Sequence, residues 1–338
     1  VTLVTGPLFT GEATHDWLTW TPDGSPATID SGANYKAFPG VARLTATKLL
    51  LVYYSGTAHD ANGVVTGRIG TLTGTSVSWG SPWDIYDHAE DVRCEDAVSV
   101  IGSTVVIMAR LYNGLVNHVP FILVCDDVSP ILSSSSTWTQ VDIAFSEGAD
   151  ENLGIGRVMR LRNGTYLIAA TAWTSGTSTA GVLISDDLMD WTAPTWVPIG
   201  SSGSLSEICV DELADGSLLA TLRRETGTQT YQATSQDHGA TWTTPAAAHD
   251  GYGLPMFRAL TDRTLLTVGR DPATSDMEWR VSQTHGVTWE NESILDTTGT
   301  LGVYASLVQL DHDNVLCVYG VEVSASDADL YSQVFTRT

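Results

Sequence analysis

Tyr304 and Glu207 are the residues of this chain whose types most clearly specify a reaction. A phenol is too weak an acid to attack alone at neutral pH, but a carboxylate beside it can take its proton and make it a nucleophile. Arg93, Arg110, Arg223 and Arg270 add guanidinium forks, which grip carboxylates bidentately and stay charged at any working pH. Asp60 and His59 follow an apolar strand on a Gly-rich segment, and either could protonate a leaving group. Asp91, in Asp91-Val-Arg93, joins them as a candidate substrate contact. Tyr304, Glu207, Asp60 and His59 are thus candidate catalytic residues, and Arg93, Arg223, Arg270, Arg110 and Asp91 candidate binding residues. They are far apart in sequence, so a fold must bring them together.

The sequence supplies that fold as a repeat. Ser235-Gln-Asp237-His-Gly239-Ala-Thr241-Trp242 reads S-x-D-x-G-x-T-W, and Ser282-Gln-Thr284-His-Gly286-Val-Thr288-Trp289 repeats it with Thr for Asp. Ser185-Asp-Asp187-Leu-Met-Asp-Trp191 is one residue shorter, and Trp138 and Trp79 mark degenerate copies. Asp and Gly make the turn, and Thr-Trp opens the next strand with a ring to bury. His238 and His285 sit in these turns and are structural. Each copy follows an apolar strand, a polar turn and a second apolar strand. The last apolar residues before those turns are Leu44, Val100, Leu161, Leu213, Leu260 and Leu310. Their spacing is that of propeller blades, at roughly 40–50 residues and four short strands each.

The expected fold is therefore all-β: a six-bladed β-propeller of four-stranded antiparallel blades, one domain over 1–338. The blades are expected at 38–85, 91–143, 152–198, 206–248, 253–295 and 304–338. Residues 1–10 would supply the outer strand that closes the last blade, and 6–32 would form a turn-rich loop over one face. Closure removes exposed strand edges.

In such a ring, equivalent positions converge. Six residues before the anchors stand Phe38, Cys94, Ile155, Glu207, Leu254 and Tyr304, with Arg93 one step earlier. Ten residues after them stand Tyr54, Arg110, Thr171, Arg223, Arg270 and Gly320. Inner and second strands are antiparallel, so both sets fall at one mouth, with His59 and Asp60 just beyond Tyr54.

Composition narrows the partners. The formal charge of −23 keeps a protein soluble and argues against nucleic acid or anionic membranes. An anionic substrate then needs a local arginine cluster acting against the global field. There is no apolar run long enough to span a bilayer, so no membrane insertion is expected. Cys94, Cys125, Cys209 and Cys317 fall in expected strands without metal-ligand spacing and read as buried thiols. The acidic run Asp87, Glu90, Asp91, Glu95, Asp96 lacks a calcium register and reads as solvated loop. No cofactor or metal is expected. Asn163-Gly-Thr165 reads as a tight turn. The start carries no secretory pattern, and a secreted or particle-associated protein is the favoured setting.

With these residues in view, the chain resembles the sialidase superfamily of six-bladed propellers. The S-x-D-x-G-x-T-W turns are similar to that family's Asp-boxes (BNR repeats). Val303-Tyr304-Ala-Ser306-Leu resembles the segment bearing its nucleophilic Tyr, and Ser206-Glu207-Ile-Cys-Val-Asp-Glu-Leu213 the segment bearing its partner Glu. The resemblance implies Asp60 as acid/base and Arg223 and Arg270 as two of three arginines that hold the substrate carboxylate. One departure stands out: the family's R-I-P motif is here Tyr35-Lys36-Ala37-Phe38-Pro39, with Ala37 where the first Arg belongs. Arg93 or Arg110 would have to replace it. Three functions follow as expectations. The favoured one is a retaining glycoside hydrolase of sialidase type acting on terminal acidic sugars through Tyr304. The others are a lyase acting on a uronate-containing glycan, and a non-catalytic glycan-binding propeller of phage or surface origin.

Overall fold

The computed structural model describes residues 19–338 apart from 33, 60, 62, 89–90, 95, 113–118, 135–136, 144–150, 155, 199–202, 251–255, 272–273 and 297–300. The described elements are strands apart from one short helix, Val128–Leu132, capped by Asp127. The second strand of each repeat is apolar on both faces; in Lys48–Gly56, every side chain from Leu49 to Tyr54 is buried. Such strands sit between two packed sheets, and each fully buried Leu or Val contributes about 2 kcal/mol relative to exposure.

The described strands form five sheets, of nine, five, five, four and four strands. The smaller four follow the expected order: meanders such as Leu205–Glu212, Leu218–Arg224, Gln229–Ser235 and Ala246–Asp250. The nine-stranded sheet holds two meanders, one starting at Leu301–Gln309 and one at Tyr35–Arg43. They are linked through a single parallel pair, Tyr35 with Ala328. The arrangement is a propeller-like ring of small antiparallel sheets, but the sheets number five where the repeat led us to expect six.

The closing strand is also not the expected one. Trp20–Asp30, expected as loop, runs antiparallel to Asp327–Arg337 from Trp20 opposite Arg337 to Asp30 opposite Leu330. Residues 1–10, given that place from the sequence, lie outside the described residues. Trp20 is fully buried and anchors this strand, a burial the sequence reading overlooked among the Gly and Pro around it.

The recurrent turns share one hydrogen-bond pattern. Gly239 N donates to Ser235 Oγ at 2.8 Å and Thr241 N to Asp237 Oδ1 at 2.8 Å. In the second copy, Gly286 N donates to Ser282 Oγ at 2.9 Å and Thr288 N to Thr284 Oγ1 at 2.8 Å, so Thr284 does the work of Asp237. His238 and His285 adopt φ 57° and 55°, and the glycines after them 93° and 86°. Two left-handed residues in succession explain the Gly. Trp242 is buried, but the next strand begins only at Ala246, later than expected.

Inner strands are irregular at the place the sequence alignment singled out. Register shifts fall between Ala37 and Gly40, between Ser206 and Cys209, and between Val303 and Ala305. Elsewhere the inner strand is split, into Asp91–Arg93 and Val98–Ile101, and into Glu151–Gly154 and Met159–Arg160. Bulges re-aim side chains, and here they release Phe38, Glu207 and Tyr304 from the ladder. Phe38 and Glu207 have φ 58° and 46°, a left-handed geometry that costs energy for residues with a Cβ.

Beneath that level the ring is pinned by a buried charge pair. Arg258 donates to Asp96 Oδ2 at 2.6 Å, and the two residues are 6% and 2% exposed. Ser306 Oγ donates to Asp96 Oδ1 at 2.5 Å and accepts from Val41 N at 3.0 Å. Asp96 therefore corrects the sequence reading. It is not solvated loop; it joins three inner strands at the centre. All four cysteines are buried free thiols, as expected, although Cys94 falls in the break of its strand.

Candidate active site

At four of the repeats, the antiparallel register brings the described members of the two expected rings to one mouth. Ala37 pairs with Tyr54, Arg93 with Arg110, Ser206 with Arg223 and Val303 with Gly320. The third repeat is offset by one, with Leu153 opposite Thr171. A cavity of about 170 Å³ opens there, lined by Tyr304, Glu207, Arg223, Arg93, Arg110 and His59 from the expected set. Phe38, Trp173, Ser206 and Glu225 complete it. Larger hollows exist, one of about 490 Å³ at the other end of the inner strands around Arg43 and Gln309, but the candidate residues do not line it.

Tyr304 Oη donates to Glu207 Oε1 at 2.7 Å, and Arg223 donates to the same oxygen at 2.7 Å. One carboxylate oxygen thus receives a phenol and a guanidinium. Burial acts to lower the pKa of Arg223, but the charges of Glu207, Glu225 and Tyr304 outweigh it and raise the pKa overall. For Arg270, burial and the neighbouring Arg223 both lower it. Arg270 itself donates to Gly302 O at 3.4 Å, beside the Tyr304 strand.

Arg93 and Arg110 stand directly opposite each other on adjacent strands, 4% and 6% exposed, and both line the cavity. Arg93 also lies 5.9 Å over the Tyr54 ring. The protein has 16 Lys and Arg against 39 Asp and Glu, yet three arginines line this cavity beside Glu207 and Glu225. Arg270 does not line it, but it feels the charges of Arg223, Glu207 and Tyr304.

Asp60 lies outside the described residues, as does the side chain of Asp91, whose backbone pairs with Tyr112. The position of the missing arginine is occupied by Ala37 and Phe38. The Phe38 ring packs 5.2 Å from that of Tyr304 and forms an aromatic wall there.

Several neighbours of the candidate residues escaped the sequence reading. Trp173, Glu225 and Glu322 stand twelve residues after Leu161, Leu213 and Leu310, two beyond the ring that was aligned. Side chains two apart on a strand share a face, so the same alignment carried one step further finds them. Ser206 Oγ donates to Glu225. Glu322 accepts from Tyr35 and contacts His59.

No family model and no curated protein sequence matches this chain. Solved structures do. A Dyadobacter fermentans protein of unknown function aligns over 93% of this chain and 98% of its own, with TM-score 0.77 and 19% identity. A Hadza microbial sialidase aligns over 90% of this chain and 65% of its own, with TM-score 0.71 and 18% identity. Penicillium chrysogenum α-L-arabinanase, solved with arabinobiose, aligns over 94% and 98%, with TM-score 0.70 and 12% identity. At these identities the likeness is one of fold: an all-β propeller-like ring shared with sialidases and an arabinanase. No helix among the described residues is long and apolar enough to cross a membrane.

Proposed function

We propose that this protein is a retaining glycoside hydrolase of the sialidase type, acting on terminal acidic sugars of glycans. The observation that carries the proposal is the Tyr304–Glu207 hydrogen bond of 2.7 Å, with Arg223 on the same oxygen, inside a cavity lined by arginines. Glu207 takes the phenolic proton as the Tyr304 oxygen bonds the anomeric carbon; the C–O bond to the leaving group breaks, and an acid on the His59–Asp60 segment protonates the leaving oxygen. Water then attacks the anomeric carbon and gives a proton to that same acid/base, as the Tyr304–sugar bond breaks and Glu207 returns its proton to the phenolate. Arg93, Arg110, Arg223 and Arg270 hold the anionic group of the sugar, with Arg93 and Arg110 making up for the arginine absent at Ala37. The family resemblance gives the acid/base role to Asp60.

The same reading takes the five sheets as six blades, by dividing the nine-stranded sheet at its single parallel pair. It takes the Ser235 and Ser282 turns as Asp-boxes, which their matched hydrogen bonds support. The known propeller glycosidases of similar fold favour a carbohydrate substrate.

The test is hydrolysis of a panel of aryl glycosides, sialosides and uronides included, by the wild type and Tyr304→Phe. Aryl release that collapses in the variant supports the proposal. Ultraviolet absorbance of an unsaturated product would instead indicate a lyase. Glycan binding by both proteins with no turnover would make this a binding propeller.

A further inference from the structure

One hydrogen-bonded cluster at this mouth is not used by the Tyr304–Glu207 chemistry. Tyr35 opens an inner strand, Glu322 stands near the end of Asn314–Ser324, and His59 follows Lys48–Gly56. Tyr35 Oη donates to Glu322 Oε1. His59 Nδ1 lies 2.7 Å from Tyr35 Oη and 3.0 Å from Glu322 Oε1. The hydroxyl has one proton, and the carboxylate takes it. Nδ1 therefore faces two acceptors and must itself carry hydrogen. This fixes the tautomer and leaves Nε2 as the nitrogen that gains and loses a proton.

The ring is also held in place. Tyr35 and Phe38 pack edge-on against it at 5.5 Å and 5.3 Å, and Phe38 in turn abuts Tyr304. Tyr54 Oη sits between the chain on both sides of His59, donating to Ala61 O at 2.5 Å with Ala58 O 3.1 Å away. The His59 side chain is 43% exposed and Glu322 only 13%, so the imidazole meets the cavity while its partner is screened. Burial acts to raise the Glu322 pKa, but the hydrogen bonds from His59 and Tyr35 and the charges of His59 and Arg270 hold it below its ordinary value.

We infer that His59 is the acid/base of this site, with Glu322 and Tyr35 as its positioning residues. The inference rests on the glycosidase reading above and assigns its proton donor. In the first step the His59 imidazolium gives its Nε2 proton to the glycosidic oxygen. The C–O bond to the leaving group breaks as the Tyr304 oxygen bonds the anomeric carbon. In the second, neutral His59 takes a proton from the attacking water as the Tyr304–sugar bond breaks. Throughout, the Glu322 carboxylate keeps its contact with Nδ1 and holds the ring in place.

The experiment uses aryl glycosides of one sugar with leaving phenols of graded acidity. His59→Gln should slow poor leaving groups by a factor on the order of 10²–10⁴ and leave 2,4-dinitrophenyl release within a few-fold. Glu322→Gln should slow the poor leaving groups selectively, by less than His59→Gln does, and Glu322→Asp should restore part of the rate. Equal slowing of all leaving groups in His59→Gln, or leaving-group dependence that appears in Asp60→Asn instead, overturns the inference. Nitrogen-15 spectra of the imidazole, assigned by difference with His59→Gln, need no substrate. An Nδ1–H tautomer that weakens in Glu322→Gln supports the assignment, and an Nε2–H tautomer overturns it. If the wild type cleaves no glycoside, the glycosidase reading fails, and with it the acid/base role; the spectra still decide whether Glu322 positions His59.

Discussion

Tyr304 Oη and Glu207 Oε1 lie 2.7 Å apart although 97 residues separate them in sequence. Each sits at a register shift of its inner strand, and that shift turns the side chain out of the ladder toward the other. If the phenol is the nucleophile, Tyr304→Phe should lower kcat/KM by a factor on the order of 10³ or more. Its affinity for the sugar product, measured by calorimetry, should change little. Glu207→Gln keeps an acceptor but no base, and a fall of about 10²–10⁴ is expected.

The Asp96–Arg258 pair should be costly to break from one side. Asp96→Asn leaves a buried guanidinium uncompensated, and about 3–5 kcal/mol of stability should be lost in urea unfolding. The double change Asp96→Asn with Arg258→Met should cost less than Asp96→Asn alone. A surface pair would show neither the size nor the rescue.

Gly40 is where one inner strand passes over the next. A Cβ built there falls 2.5 Å from Ala97 N and 3.0 Å from the Asp96 carbonyl carbon, both backbone atoms. Gly40→Ala should destabilise by about 1–3 kcal/mol through overpacking, read as a lower denaturant midpoint at unchanged slope. Because the push is on Asp96, turnover should fall as well.

Glu322 supplies a pH signature. Its folded pKa is depressed, so the stability it adds is fully present above the ordinary carboxylate range and is lost as pH falls through the folded value. The stability difference between wild type and Glu322→Gln should therefore shrink as pH drops from 7 toward 3. A difference that grows on acidification would contradict the assignment.

Much of the site was legible because a repeat converts sequence position into spatial position. Aligning six anchors sufficed to place Arg93, Arg110, Arg223, Glu207 and Tyr304 at one cavity, since antiparallel pairing has a fixed register. Stopping the alignment one step short missed Glu225 and Glu322, an error of method and not of information.

Other features had no local signal. Asp96 sits in a run of acids, and its pairing with Arg258, 162 residues away, depends on how the ring closes. Trp20–Asp30 is rich in Gly, Pro and Asp, and propensity argues against a strand. Its pairing with Asp327–Arg337 wins because that edge would otherwise leave a row of backbone groups unmatched.

The amino-acid sequence by itself determined the strand repeat, the turn chemistry and which residue types share a level of the ring. These depend on periodicity and short-range backbone preference, which each segment carries with it. Only the tertiary structure decided which strand completes the ring, how the bulges aim Glu207 and Tyr304, and that Glu322 and Tyr35 grip His59. Those relationships join segments up to hundreds of residues apart, and they exist only once packing has fixed every sheet against its neighbours.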